Sequence, residues 1–276
     1  MIRILVDSTS DFTNDQLDQN NLAYIPMHIN WDGTDYIDGI TIQREEFYEK
    51  LCSSKSFPKT SQPSPQDFLE EFEKAKEEKD ELICLIFSSA LSGAYQSACL
   101  AKQIAGYESV YIIDTRTATG GIQILVEEAQ KMIAKGMKAE KIVESLEELK
   151  SKIKIYASVD TLEYLKRGGR ISKAVASIGE IAKVKPLIHL NEAGEIVAIS
   201  KSIGFKKVIQ KISEYADEMD PNYSAYSLYT MGTNNLKKLE DKLMERNVNI
   251  KSRVQIGSTI GAHVGPEAFG IVFVAK

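Results

Sequence analysis

The sequence predicts an α/β fold in two domains, each a sheet flanked by helices. Three observations carry this. Short apolar runs of strand length end on polar turns at Asp7, Ser88 and Asp114, and stretches of helical spacing follow them. Such strand–turn–helix alternation is the pattern of open sheets covered by helices. The 276 residues suit two small domains or one large one, and 43% hydrophobic against 26% charged residues leaves each half enough apolar material for a core. No linker of biased composition separates the halves, so an N-terminal domain of residues 1–152 is expected to pack closely on a C-terminal domain of residues 153–276. No internal repeat is visible.

The elements follow in order. Ile2–Val6 reads as a buried strand ending at Asp7, and Asp7-Ser8-Thr9-Ser10-Asp11 is a polar turn before a short helical stretch from Thr13. Ala23–Ile29 and Asp35–Ile37 read as strands and Arg44–Leu51 as a helix. Pro58-Lys59-Thr60-Ser61-Gln62-Pro63 is a breaker-rich loop. Ser64 then caps a helix with Pro65 at its first position and Asp67 at its third. Phe68, Leu69, Phe72 and Ala75 form its apolar stripe. Glu81–Phe87 is a nearly continuous apolar run suited to a parallel sheet. Ser88–Ser92 is a turn, Gly93–Ala105 a helix, Val110–Ile113 a strand, and Ile122–Ala134 and Ala139–Leu149 helices.

In the second half, strand Ile153–Val159 leads through Leu162-Glu163-Tyr164-Leu165 to the turn Lys166-Arg167-Gly168-Gly169-Arg170. A helix is expected over Ala174–Lys183, and a hairpin of Pro186–Leu190 with Glu195–Ile199 around Asn191-Glu192-Ala193-Gly194. Helices Phe205–Glu218 and Asn235–Glu245 bracket strand Ala225–Thr230. Arg253–Ile256 and Phe269–Val274 are the last strands.

Composition narrows the function. A net charge of −5 argues against nucleic acid as a partner, because phosphate contacts need a basic surface. Cys52, Cys84 and Cys99 form no Cys-x-x-Cys pair, and their odd number with apolar neighbours predicts buried thiols in a reducing compartment. The apolar run directly after Met1 reads as a first strand and not as a signal peptide, and no apolar run is long enough to span a bilayer. The expected location is the cytoplasm.

Ligands of open α/β sheets bind where strands end in polar turns. Ser, Thr and Asp in such turns are also ordinary helix caps. The Ser92-Gly93 turn goes further, since it opens a helix whose free N–H groups and dipole suit an anion, and Gly93 would let a ligand approach the backbone. His263 sits in a glycine-dense loop as a donor for an anion or as a partner of a nearby carbonyl. Arg167 and Arg170 flank Gly168-Gly169, as a solvated turn or as contacts to an anion or a partner. His28 and His189 lie in apolar runs and read as core. There is no Gly-x-Ser-x-Gly elbow, P-loop, Gly-x-Gly-x-x-Gly or His-Glu-x-x-His, so no recognisable catalytic constellation is present. Asp7, Asp114 and Asp160 at strand ends leave a metal-dependent phosphoesterase as an alternative.

Taken together, the turns resemble the DegV family. Asp7-Ser8-Thr9-Ser10-Asp11, Lys59-Thr60-Ser61-Gln62-Pro63-Ser64, Ser88 through Ala98, Asp114-Thr115, Leu165 through Ile171 and the His263-Gly265-Pro266 loop occur in the family's order across essentially the whole chain. Ala94 departs from the Thr of many members. The resemblance implies a two-domain fold with a long-chain fatty acid, such as palmitate, stearate or oleate, held between the domains and no other cofactor. It implies a non-enzymatic acyl-binding subunit whose bound carboxylate is phosphorylated by a separate ATP-binding fatty acid kinase subunit, feeding phospholipid synthesis. Thr60 and Ser92 would bind the carboxylate, His263 would complete their network, Arg170 would lie close by, and Ser61 and the Gly93 N–H groups would add donors. A binder of another small carboxylate is the remaining alternative.

Overall fold

The computed structural model of the chain describes residues 1–171 and 184–276. The helix expected over Ala174–Lys183 lies outside the described residues. The fold is α/β, with strands in three sheets and helices flanking the two larger ones.

The first sheet holds β1 (Ile2–Asp7), β2 (Leu22–Ile25), β6 (Glu81–Ile86) and β7 (Val110–Asp114), all parallel, in the order β2-β1-β6-β7. Parallel pairing brings all four carboxyl ends to one edge, and with them the polar turns that follow β1, β6 and β7. Leu5, Val6 and Leu82 through Ile86 have no exposed surface, which is why their sequence is continuously apolar instead of alternating.

A small antiparallel sheet follows, made of β3 (His28–Trp31), β4 (Thr34–Ile37) and β5 (Lys59–Ser61) in the order β4-β3-β5. The single strand expected over Ala23–Ile29 is thus two strands in different sheets. Pro26 stands between them, without an N–H to continue the ladder. The β3–β4 hairpin turns through Asp32 and Gly33, both at positive φ (53° and 82°), the backbone of a turn that matches strand twist. The Thr60 segment, expected as loop, is an edge strand in which Thr60 pairs with Ile29. Behind this sheet Trp31, Phe47, Tyr48 and Leu51 pack with Ala262 from the far end of the chain.

The third sheet contains β8 (Ile153–Ser158), β9 (Val184–Leu190), β10 (Ile196–Ile203), β11 (Ala225–Tyr229), β12 (Ile250–Gln255) and β13 (Phe269–Val274). Its order is β10-β9-β8-β13-β11-β12, and only the β11–β12 pair is parallel. The hairpin around Asn191 through Gly194 is as expected, but β10 runs on to Ile203. The helix expected over Phe205–Glu218 is Phe205–Tyr215 with a 3-10 turn at Ala216–Glu218.

Ser64 and Asp67 form the reciprocal cap that opens helix Pro65–Glu78, with Ser64 N–H donating to Asp67 Oδ2 at 2.7 Å. Helix Gly120–Ala134 begins two residues earlier than its apolar spacing suggests. Its whole first half is buried, and Gly120 lies against Val272 of β13. One core therefore runs from the first sheet to the third, through residues such as Ile83, Ile122 and Val272. Of the three thiols only Cys84 is buried; Cys99 is half-buried and Cys52 is exposed, because the helix faces that carry them look outward. Among the described residues no helix is long and apolar enough to cross a membrane.

Candidate functional site

A cavity of about 320 Å³ takes its walls from both halves of the chain. This is within the range of small-molecule sites, roughly 300–1,000 Å³. Most of the wall is apolar: Met27, Phe87 and Leu91 on one side, and Ile155, Ala157, Ile188 and Leu228 from the third sheet on the other. Alternation along β8 and pairing of Ala157 with Ile188 place these side chains on one face.

Thr60, Ser61, Ser92, Arg170 and His263 also line this cavity. Four chain segments bring them there: edge strand β5, the turn before helix Ala94–Ala105, the turn after helix Glu163–Arg167, and helix Ser258–Val264. Thr60 Oγ1 lies 2.7 Å from His263 Nε2. Arg170 donates from Nε to the Leu91 carbonyl (3.0 Å) and from Nη1 to the Gly168 carbonyl (2.5 Å), which ties the arginine turn to the Ser92 turn. Ser92 Oγ accepts from the Ala94 N–H at 3.2 Å, a local bond to the first residue of a helix whose N-cap is Gly93. Burial, and then the neighbouring Arg170 cation, push His263 down to about 4, so its imidazole is neutral near pH 7.

Two expectations need correction. His263 is on a helix and not in a loop; the glycines around it serve close packing, as where Gly261 lies under Tyr48. Gly93 is not a wall of the cavity, and its open side is taken. A Cβ there would stand 2.0 Å from Gln62 Oε1, so the Gln62 side chain, not a ligand, uses the space. Gln62 Nε2 donates to Ser97 Oγ at 3.1 Å, strapping the Thr60 strand to the helix that begins beside Ser92.

The family model described as "Uncharacterised protein, DegV family" matches residues 1–276. The chain belongs to the DegV family. A DegV domain-containing protein of Caldanaerobacter subterraneus is 36% identical, over 100% of this chain and 99% of that one. A solved DegV structure from Thermus thermophilus, described by its fatty acid binding, is similar at TM-score 0.90 and 31% identity, covering 100% of this chain and 99% of its own. A stearic acid-binding protein of Eubacterium ventriosum is similar at TM-score 0.89 and 28% identity, with the same coverage.

The other candidate residues of this DegV chain are engaged elsewhere. His28 is half-exposed on the small sheet, 3.0 Å from Asp35, and so is not a core residue. His189 does line the cavity, but its ring is held by other partners: Nδ1 donates to the Ile155 carbonyl (2.9 Å) and the imidazole stacks on Tyr156. Arg167 pairs with Glu163 and lies over Phe57. The three strand-end aspartates do not converge. Asp7 accepts from Thr9 and from the Phe87 N–H, Asp114 from Ser89, and Asp160 is paired with Lys185. Among the described residues no three His, Cys, Asp or Glu side chains gather as a metal site. Gln62 is the residue that sequence reasoning missed. Its contacts with Gly93 and Ser97 are 31 and 35 positions away, and no local pattern signals them.

Proposed function

We propose that this chain binds one long-chain fatty acid, such as palmitate, stearate or oleate, with the tail along the apolar wall and the carboxylate among Thr60, Ser61, Ser92, His263 and Arg170. The observation that carries this reading is the joining, in one cavity, of a long apolar wall to a cluster of hydroxyl, imidazole and guanidinium groups. A buried carboxylate needs several donors, or it takes up a proton instead. Each buried methylene contributes about 0.8 kcal/mol, so about fourteen contribute roughly 11 kcal/mol before ordering costs. The tail thus supplies most of the affinity, and the donors set the register of the head group. The fatty acid binding described for the Thermus thermophilus relative supports the same ligand class here.

The second part of the proposal is the role. The protein presents the bound carboxylate to an ATP-binding kinase subunit, which forms the acyl phosphate that feeds phospholipid synthesis in the cytoplasm. Residues 1–152 and 153–276 act as the two domains that hold the ligand between them. Thr60→Ala and Ser92→Ala test both parts. Each is expected to slow kinase-dependent phosphorylation of bound palmitate by about tenfold or more, the effect of losing one hydrogen bond to a charged group. Palmitate affinity is expected to fall less. Wild-type rates for both variants would remove these residues from the site.

A further inference from the structure

We infer that Gly168 holds His263 in the neutral tautomer protonated on Nε2, and that Thr60 is thereby set to accept from His263 and to donate its own hydroxyl hydrogen into the cavity. The inference rests on the fatty acid reading and extends it to head-group chemistry.

Three observations carry it. Thr60 Oγ1 and His263 Nε2 share a 2.7 Å hydrogen bond, in which either atom is able to be the donor. The other ring nitrogen, Nδ1, is buried without a hydrogen-bond partner among the described residues. What faces it is Gly168: a Cβ there would stand 2.0 Å from Nδ1. Glycine carries a hydrogen in that direction, so a C–H bond is aimed at Nδ1 from a carbon within about 3.5 Å, given a C–C bond of about 1.5 Å. A proton on Nδ1 would collide with that hydrogen and would be a buried orphan donor. A lone pair is accommodated. Gly168 has φ −72° and ψ −12°, which any residue adopts, so it is space and not backbone conformation that requires glycine here.

With the ring proton on Nε2, the Thr60 oxygen accepts and its single hydrogen remains for a ligand. The site therefore favours head groups that only accept. A carboxylate is the best match, a primary alcohol a weaker one, and an alkylammonium, which only donates, is rejected.

Nitrogen-15 NMR of the labelled, ligand-free protein at pH 7 tests the tautomer, with the His263 signals assigned by their loss in His263→Gln. A protonated Nε2 and an unprotonated Nδ1 are expected. A proton on Nδ1, or on both nitrogens, overturns the inference whether or not fatty acid binds. Gly168→Ala is the second arm. It is expected to change the His263 signals and to weaken palmitate by less than about tenfold, with a smaller loss for hexadecanol. Equal losses for acid and alcohol in a folded Gly168→Ala protein would also overturn it. The expected tautomer in a wild-type protein that takes up no fatty acid would sustain the Gly168–His263 part and refute the proposed function.

Discussion

His263 concentrates the chemistry of the site in one side chain, and its environment makes a pH prediction. Burial and Arg170 lower it from 6.5 to about 4. The unfolded chain therefore takes up this proton first as pH falls. Stability from keeping the ring neutral is complete above about 6.5 and is lost as pH drops toward 4, by up to about 3 kcal/mol. Asp7 and Asp11 work in the opposite direction. Burial raises them to about 6 and about 7, so they favour the folded state at lower pH. Both aspartates are kept in His263→Gln, so the difference between its urea stability and that of wild type at pH 4 and pH 7 isolates the histidine. Wild type should lose more stability than the variant on acidification. Parallel profiles would mean that His263 titrates normally. The residues at this end of the cavity were legible to different degrees. Thr60, Ser92, Arg170 and His263 stand in motifs that recur in order. Gln62 stands in one of the same motifs, but its contact with Gly93 exists only after folding.

At the scale of elements, helix Pro65–Glu78 shows what sequence signals well. Ser64, Pro65 and Asp67 each have a local reason to be where they are, and the cap forms as read. Ser64→Ala should cost about 1 kcal/mol, measured by urea denaturation, with fatty acid affinity unchanged, because the helix faces away from the cavity wall. An unchanged midpoint would show that the cap contributes nothing. The Gln62 strap makes a contrasting case. Gly93→Ala would place a methyl 2.0 Å from Gln62 Oε1, so the strap must move. A loss of about 1–3 kcal/mol is expected together with weaker fatty acid binding, since Thr60 and Ser92 are then no longer tied to one another. Unaltered binding would reduce Gln62 to a packing residue. Elements without a local signal were the ones misread. Lys59–Ser61 is a three-residue edge strand, too short for any period, and its strand character comes from pairing with β3. The split of Ala23–Ile29 turns on Pro26, whose effect in a strand depends on which neighbours need its missing N–H.

Across the whole molecule, the two halves are joined by specific polar contacts as well as by the shared core. Tyr48 donates to the Ile256 carbonyl at 2.8 Å, Gly257 N–H to Asp11 at 2.8 Å, Ser88 to the Gly194 carbonyl at 2.8 Å, and Arg170 to Leu91 at 3.0 Å. The cavity depends on this arrangement, because its apolar wall and its donors come from both halves. That is why the α/β class was readable from strand–turn–helix order while the tail-lining residues were not. Ile155, Ala157 and Ile188 lie in segments that read as strands, and nothing local separates a cavity face from ordinary core. A filled cavity should also stabilise the fold, by mass action, in proportion to ligand occupancy. The most direct measurement is solvent extraction of the purified protein followed by mass spectrometry, repeated after incubation with palmitate and oleate. A near-stoichiometric long-chain fatty acid is expected in the extract. An extract that is empty before and after incubation would contradict the proposed function.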